Sequence, residues 1–201
     1  MKDYKKLENE VDAVADDIWD MASKVWEFAE LGFEEVQSSV YEASMLKRHG
    51  FDIVDKGTGG IDTAWVAQWG SGSPVIGILV EFDALPRLGN DTVPIKTPAK
   101  SGNTNGHGCG HNLIGSGAIG AAIALKAQME KEGITGTIKV FGCPAEELLA
   151  GKNYMAQAGA FEGLDACLHH HPGPINAALN FHTTAAMDLT IEWRGTTAHS
   201  G

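Results

Sequence analysis

Thr137-Ile-Lys-Val-Phe-Gly-Cys-Pro-Ala-Glu-Glu147 carries the reading of the fold. Its first seven residues form a short apolar run, the pattern of a buried strand over Thr137–Cys143. Pro144 and the acidic pair then open a helix expected over Glu146–Ala158. A second strand is expected over Asp165–His170. Upstream, the glycine-notched run Leu113–Glu132 reads as a long helix closing at Gly133. Thr63–Trp69 and Val75–Phe82 are β-rich and separated by Gly-Ser-Gly-Ser-Pro, which predicts a hairpin or adjacent strands. Apolar residues at three- and four-residue intervals predict one amphipathic helix over residues 5–29, and a second over Glu35–Lys47 ending at Gly50. Met187–Trp193 alternates through Asp188, Thr190 and Glu192 and reads as a last strand. Helices interleaved with apolar strands define an α/β protein, with a mixed, mostly parallel sheet flanked by helices on both faces.

The chain has 201 residues, 43% hydrophobic and 20% charged, the balance of a globular protein with a real core. Its 15 basic and 26 acidic residues give a net charge of −11, which disfavours nucleic acid and anionic membrane as partners. The start is polar without an apolar signal segment, and no apolar run is long enough to span a bilayer. Three cysteines, an odd number without framework spacing, suit a reducing compartment, so a cytoplasmic location is expected.

The chemistry-bearing residues gather after strands. Gly106-His-Gly-Cys-Gly-His-Asn112 places Cys109 and His111 in a glycine-permitted loop just before a helix, whose dipole is expected to favour the thiolate. A thiolate and an imidazole at this spacing suit zinc or a similar metal. The alternative is a small buried cysteine among polar loop histidines. Glu146 and Glu147 at a strand end divide labour well around a cation, one as ligand and one as proton acceptor. They also suit a first helical turn. His169-His170-His171 ends a strand, where α/β sites form, and alternation forbids all three from sharing one centre. Asp83 ends another strand and can hold a ligand histidine in its proper tautomer. Gly115-Ser-Gly-Ala-Ile-Gly120 matches a dinucleotide fingerprint, but no strand leads directly into it, so close packing of a glycine-notched helix on the sheet is the better account.

These residues resemble the aminoacylase/carboxypeptidase superfamily of metallopeptidases, in the amidohydrolase branch typified by hippurate hydrolase and aminobenzoyl-glutamate hydrolase. The matching segments are Phe28-Ala-Glu-Leu-Gly-Phe-Glu34, Glu81-Phe-Asp-Ala-Leu-Pro86, Gly106–Asn112, Cys143-Pro-Ala-Glu-Glu147, His171-Pro172 and Gly195-Thr-Thr-Ala-His-Ser200. With Asn112 where the hippurate branch has Asp, the motif is similar to that of the B-type subgroup of aminobenzoyl-glutamate hydrolases. The resemblance implies a zinc-peptidase-like catalytic domain over residues 1–182. Residues 183–201 would begin a lid and dimerisation domain whose remainder is absent. It implies two divalent ions (zinc, manganese or cobalt), with Cys109 bridging and His111, Glu147 and His171 as further ligands. It makes Glu146 the general base and acid, Asp83 a residue behind the ligands, and His199 a group reaching a partner subunit's substrate. The final histidine ligand and the groups holding the substrate carboxylate are expected beyond Gly201, so the piece as it stands is expected to be inactive.

The activity so implied is metal-dependent hydrolysis of the amide bond of N-acyl or N-aroyl amino acids, by a homodimer or a heterodimer with a related subunit. The rivals are a dipeptidase on the same scaffold and a non-catalytic metal-binding partner subunit.

Overall fold

Branched aliphatic residues fill the two central strands of the sheet, β3 (Val75–Val80) and β4 (Gly136–Gly142), which run parallel with Ile76 beside Ile138 and Ile78 beside Val140. The computed structural model describes residues 4–178, 184–185, 187 and 189–199. Strand β5 (Ala166–Leu168) adds to the other side of β3, also parallel. Strand β2 (Trp65–Ser71) pairs with β4 in the antiparallel sense, and β1 (Asp52–Lys56) with β2 likewise. The order is β1-β2-β4-β3-β5, a mixed sheet as expected, with two parallel and two antiparallel pairings.

Alternation sends side chains into two cores. One holds Trp65, Ala67, Ile78, Val80, Ile138 and Val140 against α2 (Ala15–Phe28), α3 (Val36–Arg48) and α4 (His111–Glu132). The other holds Val66 and Phe141 against Ile61, Met155 of α5 (Gly151–Gln157) and Phe161. Full burial of an Ile, Met or Phe side chain is worth about 1.5–3 kcal/mol. Gly120 lets α4 approach α2, since a Cβ there would lie 2.3 Å from Ile18 Cδ1. Close packing on the sheet holds for Gly115, where a Cβ would lie 2.5 Å from the Glu81 carbonyl oxygen, whereas Gly120 faces α2 and Gly117 has only ordinary contact.

Four expectations need correction. The first helix is two, α1 (Lys5–Asp12) and α2, because the backbone at Val14 leaves helical geometry (φ −114°, ψ 12°). The break lets α1 run to the far end of α4, where Lys6 pairs with Glu132 and Lys131 with Glu10. The strands before and after Gly-Ser-Gly-Ser-Pro are not neighbours, since β4 inserts between β2 and β3. The helix expected from Glu146 starts only at Gly151, because positive φ at Ala145 (54°) and Leu149 (53°) bends the intervening chain. Among the described residues of 187–193 the last strand is not formed: Met187, Leu189, Ile191 and Trp193 are exposed, and no strand of the sheet pairs with them. Asp188 and the expected domain boundary at 182/183 lie outside the described residues.

Candidate metal centre

Because β4, β3 and β5 are adjacent and parallel, their carboxyl ends open on one edge, the place where α/β sheets build sites. Glu81 and Asp83 follow β3, Glu146 and Glu147 follow β4, and His169–His171 follow β5. The amino end of α4 completes the edge, with His111 its first residue and Gly110 in the left-handed region (φ 89°) turning Cys109 toward it.

His111 is fully buried and lies at the centre. Its Nδ1 lies 2.9 Å from Asp83 Oδ1 and 3.0 Å from the Asp83 carbonyl oxygen. Both neighbours are acceptors, so Nδ1 donates and the lone pair of the neutral ring sits on Nε2. That nitrogen faces Glu81 Oε2 at 3.4 Å, Glu146 Oε2 at 3.6 Å and Glu147 Oε1 at 3.9 Å. A lone pair facing three carboxylates is repulsive, and either a proton on Nε2 or a metal ion among them relieves it. Burial disfavours charge on His111, but the Asp83 hydrogen bond and the surrounding carboxylates raise its pKa overall.

Three buried atoms here have no hydrogen-bond partner: His111 Nε2, Glu81 Oε2 and Glu147 Oε1. Buried polar atoms are normally satisfied, so their convergence needs an explanation. A metal ion supplies one, since tetrahedral ligands at about 2.1 Å sit about 3.4 Å from each other. Cys109 Sγ lies 3.1 Å from His171 Nε2. Cys109, His111 and His171 form one group whose ligand atoms all lie within 4.8 Å of one another, and Glu81, His111 and Glu146 form a second. The donor set of sulfur, imidazole nitrogen and carboxylate oxygen fits divalent metal.

The thiol departs from expectation. Burial first, and then the charges of Glu147, Glu146 and Glu81, push Cys109 up to about 11 rather than down. Burial and the carboxylates together outweigh the helix dipole, and a dication would reverse the balance. Glu147 is itself raised, chiefly by burial. Its backbone N–H donates to Asp83 Oδ2 at 2.9 Å, so Asp83 holds both His111 and the acidic turn. Glu146 and Glu147 precede α5 altogether, which removes their reading as a first helical turn.

The three histidines alternate as expected. His171 meets Cys109, His169 Nε2 lies 3.1 Å from Glu81 Oε1, and His170 lies near Gly117 of α4. His199 is exposed and belongs to neither ligand group. Sequence reasoning assigned no role to Glu81 or Lys152, which pair through Glu81 Oε1. Burial opposes the charge on Glu81, yet His169 and Lys152 hold it down at about 2. Its signal was positional: Glu81 sits two residues before Asp83, on the same side of an extended segment.

The sheet edge and its sulfur, nitrogen and oxygen donors are those of a metal-binding α/β protein. The chain belongs to peptidase family M20/M25/M40, whose sequence pattern matches residues 78–197, more than half its length. It is 36% identical over 197 residues to a p-aminobenzoyl-glutamate hydrolase subunit of Escherichia coli K12, covering 98% of this chain and 41% of that protein. It is 35% identical over 150 residues to a mouse (Mus musculus) Xaa-Arg dipeptidase, covering 70% of this chain and 31% of that protein. A solved Bacillus subtilis structure described as a dinuclear metal binding peptidase from the M20 family superposes with a TM-score of 0.69 at 28% identity, covering 81% of this chain and 44% of that one. The chain thus spans about two fifths or less of the length of these curated relatives. Among the described residues no helix is long and apolar enough to cross a membrane.

Proposed function

We propose that this chain carries most of the metal site of a metal-dependent amidohydrolase acting on N-acyl or N-aroyl amino acids. The observation that carries the reading is the convergence of unpartnered His111 Nε2, Glu81 Oε2 and Glu147 Oε1 beside the Cys109–His171 pair. Similarity to an aminobenzoyl-glutamate hydrolase subunit supports the substrate class. Two divalent ions (zinc, manganese or cobalt) are proposed, held by Cys109, His111, Glu147 and His171. When bound they would polarise the scissile carbonyl and lower the pKa of water from about 15.7 toward about 7.

The chain's own residues supply the proton traffic. Glu146 Oε2 lies 3.6 Å from His111 Nε2, within the group it forms with Glu81 and His111, and its side chain is 29% exposed. There it can take a proton from the attacking water and return it to the leaving amine nitrogen. Asp83 keeps His111 Nδ1 protonated, so that Nε2 stays a donor to metal. His199 is proposed, on the resemblance of Gly195–Ser200 alone, to steady the developing oxyanion from a neighbouring subunit.

In the full-length protein, Glu146→Gln should abolish turnover of N-acyl amino acids while leaving metal content nearly intact. Undiminished turnover would overturn the assignment. A dipeptidase is the second reading, favoured by the similarity to the mouse enzyme. A panel of dipeptides and N-acyl amino acids separates the two. The Escherichia coli relative is named as one subunit of its enzyme, which supports a partner subunit here, and three free cysteines suit a reducing, cytoplasmic setting.

A further inference from the structure

Glu35 is fully buried one residue before α3, far in sequence from the metal centre. Its Oε1 accepts the backbone N–H of Ala145 at 2.7 Å, and its Oε2 accepts the hydroxyl of Thr63 at 3.0 Å. Ala145 has φ 54°, a left-handed conformation that an L-residue adopts only when its surroundings enforce it. It immediately precedes Glu146 and Glu147. Downstream the same turn is fixed at Glu147 N–H by Asp83 Oδ2. The turn also packs closely on the start of α5, since a Cβ on Gly151 would lie 1.7 Å from the Pro144 carbonyl oxygen.

We propose that Glu35 is a positioning residue, whose carboxylate clamps Ala145 in the left-handed turn that aims Glu147 at His111 and sets Glu146 beside it. This deepens the metal-site reading and rests on it. Two buried carboxylates thus hold the acidic turn from opposite ends, Glu35 at Ala145 and Asp83 at Glu147. Neither has to touch metal or substrate. The Phe28–Glu34 segment contributes to the same frame: the Glu30 carbonyl accepts Ala84 N–H at 2.8 Å, beside Asp83, and the Glu30 carboxylate accepts Ser38 N–H at 2.9 Å at the start of α3. Glu35 therefore stands on a helix whose amino end is tied to the strand end that carries Asp83.

What the clamp requires of residue 35 is an acceptor, not a charge. Glutamine satisfies it: its oxygen accepts from Ala145, and its amide donates to the Thr63 hydroxyl, which can accept. Alanine does not.

The test titrates Co2+ alone into the full-length metal-free protein and its Glu35→Ala, Glu35→Gln, Glu147→Gln and Glu35→Ala/Glu147→Gln variants. Glu35→Ala should weaken binding about 10- to 100-fold, the usual loss when a group orienting a ligand is removed. It should add little on top of Glu147→Gln, because both act through one ligand. Glu35→Gln should bind close to wild type. Full additivity, a Glu35→Gln variant as weak as Glu35→Ala, or a folded Glu35→Ala that binds normally overturns the clamp. If Glu35→Ala does not fold, Glu35→Gln decides alone: retained affinity supports the proposal and lost affinity overturns it. Unchanged binding by Glu147→Gln would instead remove the metal-site reading, and the proposal with it.

Discussion

Asp83 and His111 meet through two contacts, carboxylate and carbonyl oxygen both on Nδ1, at 2.9 and 3.0 Å. The pair joins the end of β3 to the start of α4 and fixes Nε2 as the ring nitrogen that carries the lone pair. Asp83→Ala should leave the ring held by the backbone carbonyl alone and release Glu147 N–H at once. Metal affinity is then expected to fall about 10- to 100-fold, read by competition with a chromophoric chelator. Affinity equal to wild type would show that the ring needs no such hold.

Metal uptake should rise with pH across the neutral range. The Cys109 thiol is held up at about 11 in the metal-free site, so it is protonated at neutral pH and must lose its proton to become a ligand. Each pH unit gained below that value therefore favours the bound form. Calorimetry in buffers of different protonation enthalpy should register proton release on binding, and Cys109→Ala should release correspondingly less.

The gathering of donor side chains at one sheet edge was legible because residue type and position agreed. Cys109, His111, Glu147 and His171 are strong ligand types at strand ends or at a helix start, where sites form. Glu35 and Glu81 were opaque for a different reason. Glu35 reads as an ordinary acid at the start of a helix, and its partner Ala145 is 110 residues away. The sheet order was hidden for the same cause, since β4 enters between β2 and β3 from a distant part of the chain. Strand β1 was disguised by Asp52, Asp55 and Lys56, which make a solvent-facing edge look like a loop. The acidic turn misled because local propensity favours a helix at Glu146, while Glu35 and Asp83 hold a bend there.

Glu42, on α3, is fully buried and neither of its carboxylate oxygens has a hydrogen-bond partner. Burial raises its pKa well above the ordinary 4.5, so the folded state holds this proton more tightly than the unfolded chain. Its contribution to stability is present in full below pH 4.5 and is lost as pH rises toward the folded value. Glu42→Gln cannot titrate. Urea unfolding should therefore show the variant gaining on wild type as pH rises above 4.5 toward the folded value, by about 1.4 kcal/mol for each pH unit in that interval. A constant difference would contradict a buried neutral acid.

Two glycines of the fingerprint-like run should respond oppositely to alanine. A Cβ on Gly115 would lie 2.5 Å from the Glu81 carbonyl oxygen and 2.6 Å from Glu42 Oε1, whereas on Gly117 the nearest atom is 3.6 Å away, on His170. Gly115→Ala should cost about 1–3 kcal/mol by overpacking. Gly117→Ala should be neutral, or should gain up to about 1 kcal/mol from helix propensity. Thermal unfolding of the two variants checks the contrast.

X-ray absorption on the zinc-loaded full-length protein bears most directly on whether a thiolate joins imidazole and carboxylate around a divalent ion. A sulfur scatterer at about 2.3 Å, together with nitrogen or oxygen at about 2.0–2.2 Å, is the expected first shell. The sulfur should vanish in Cys109→Ala. A shell of nitrogen and oxygen alone in the wild-type protein would contradict the site described here.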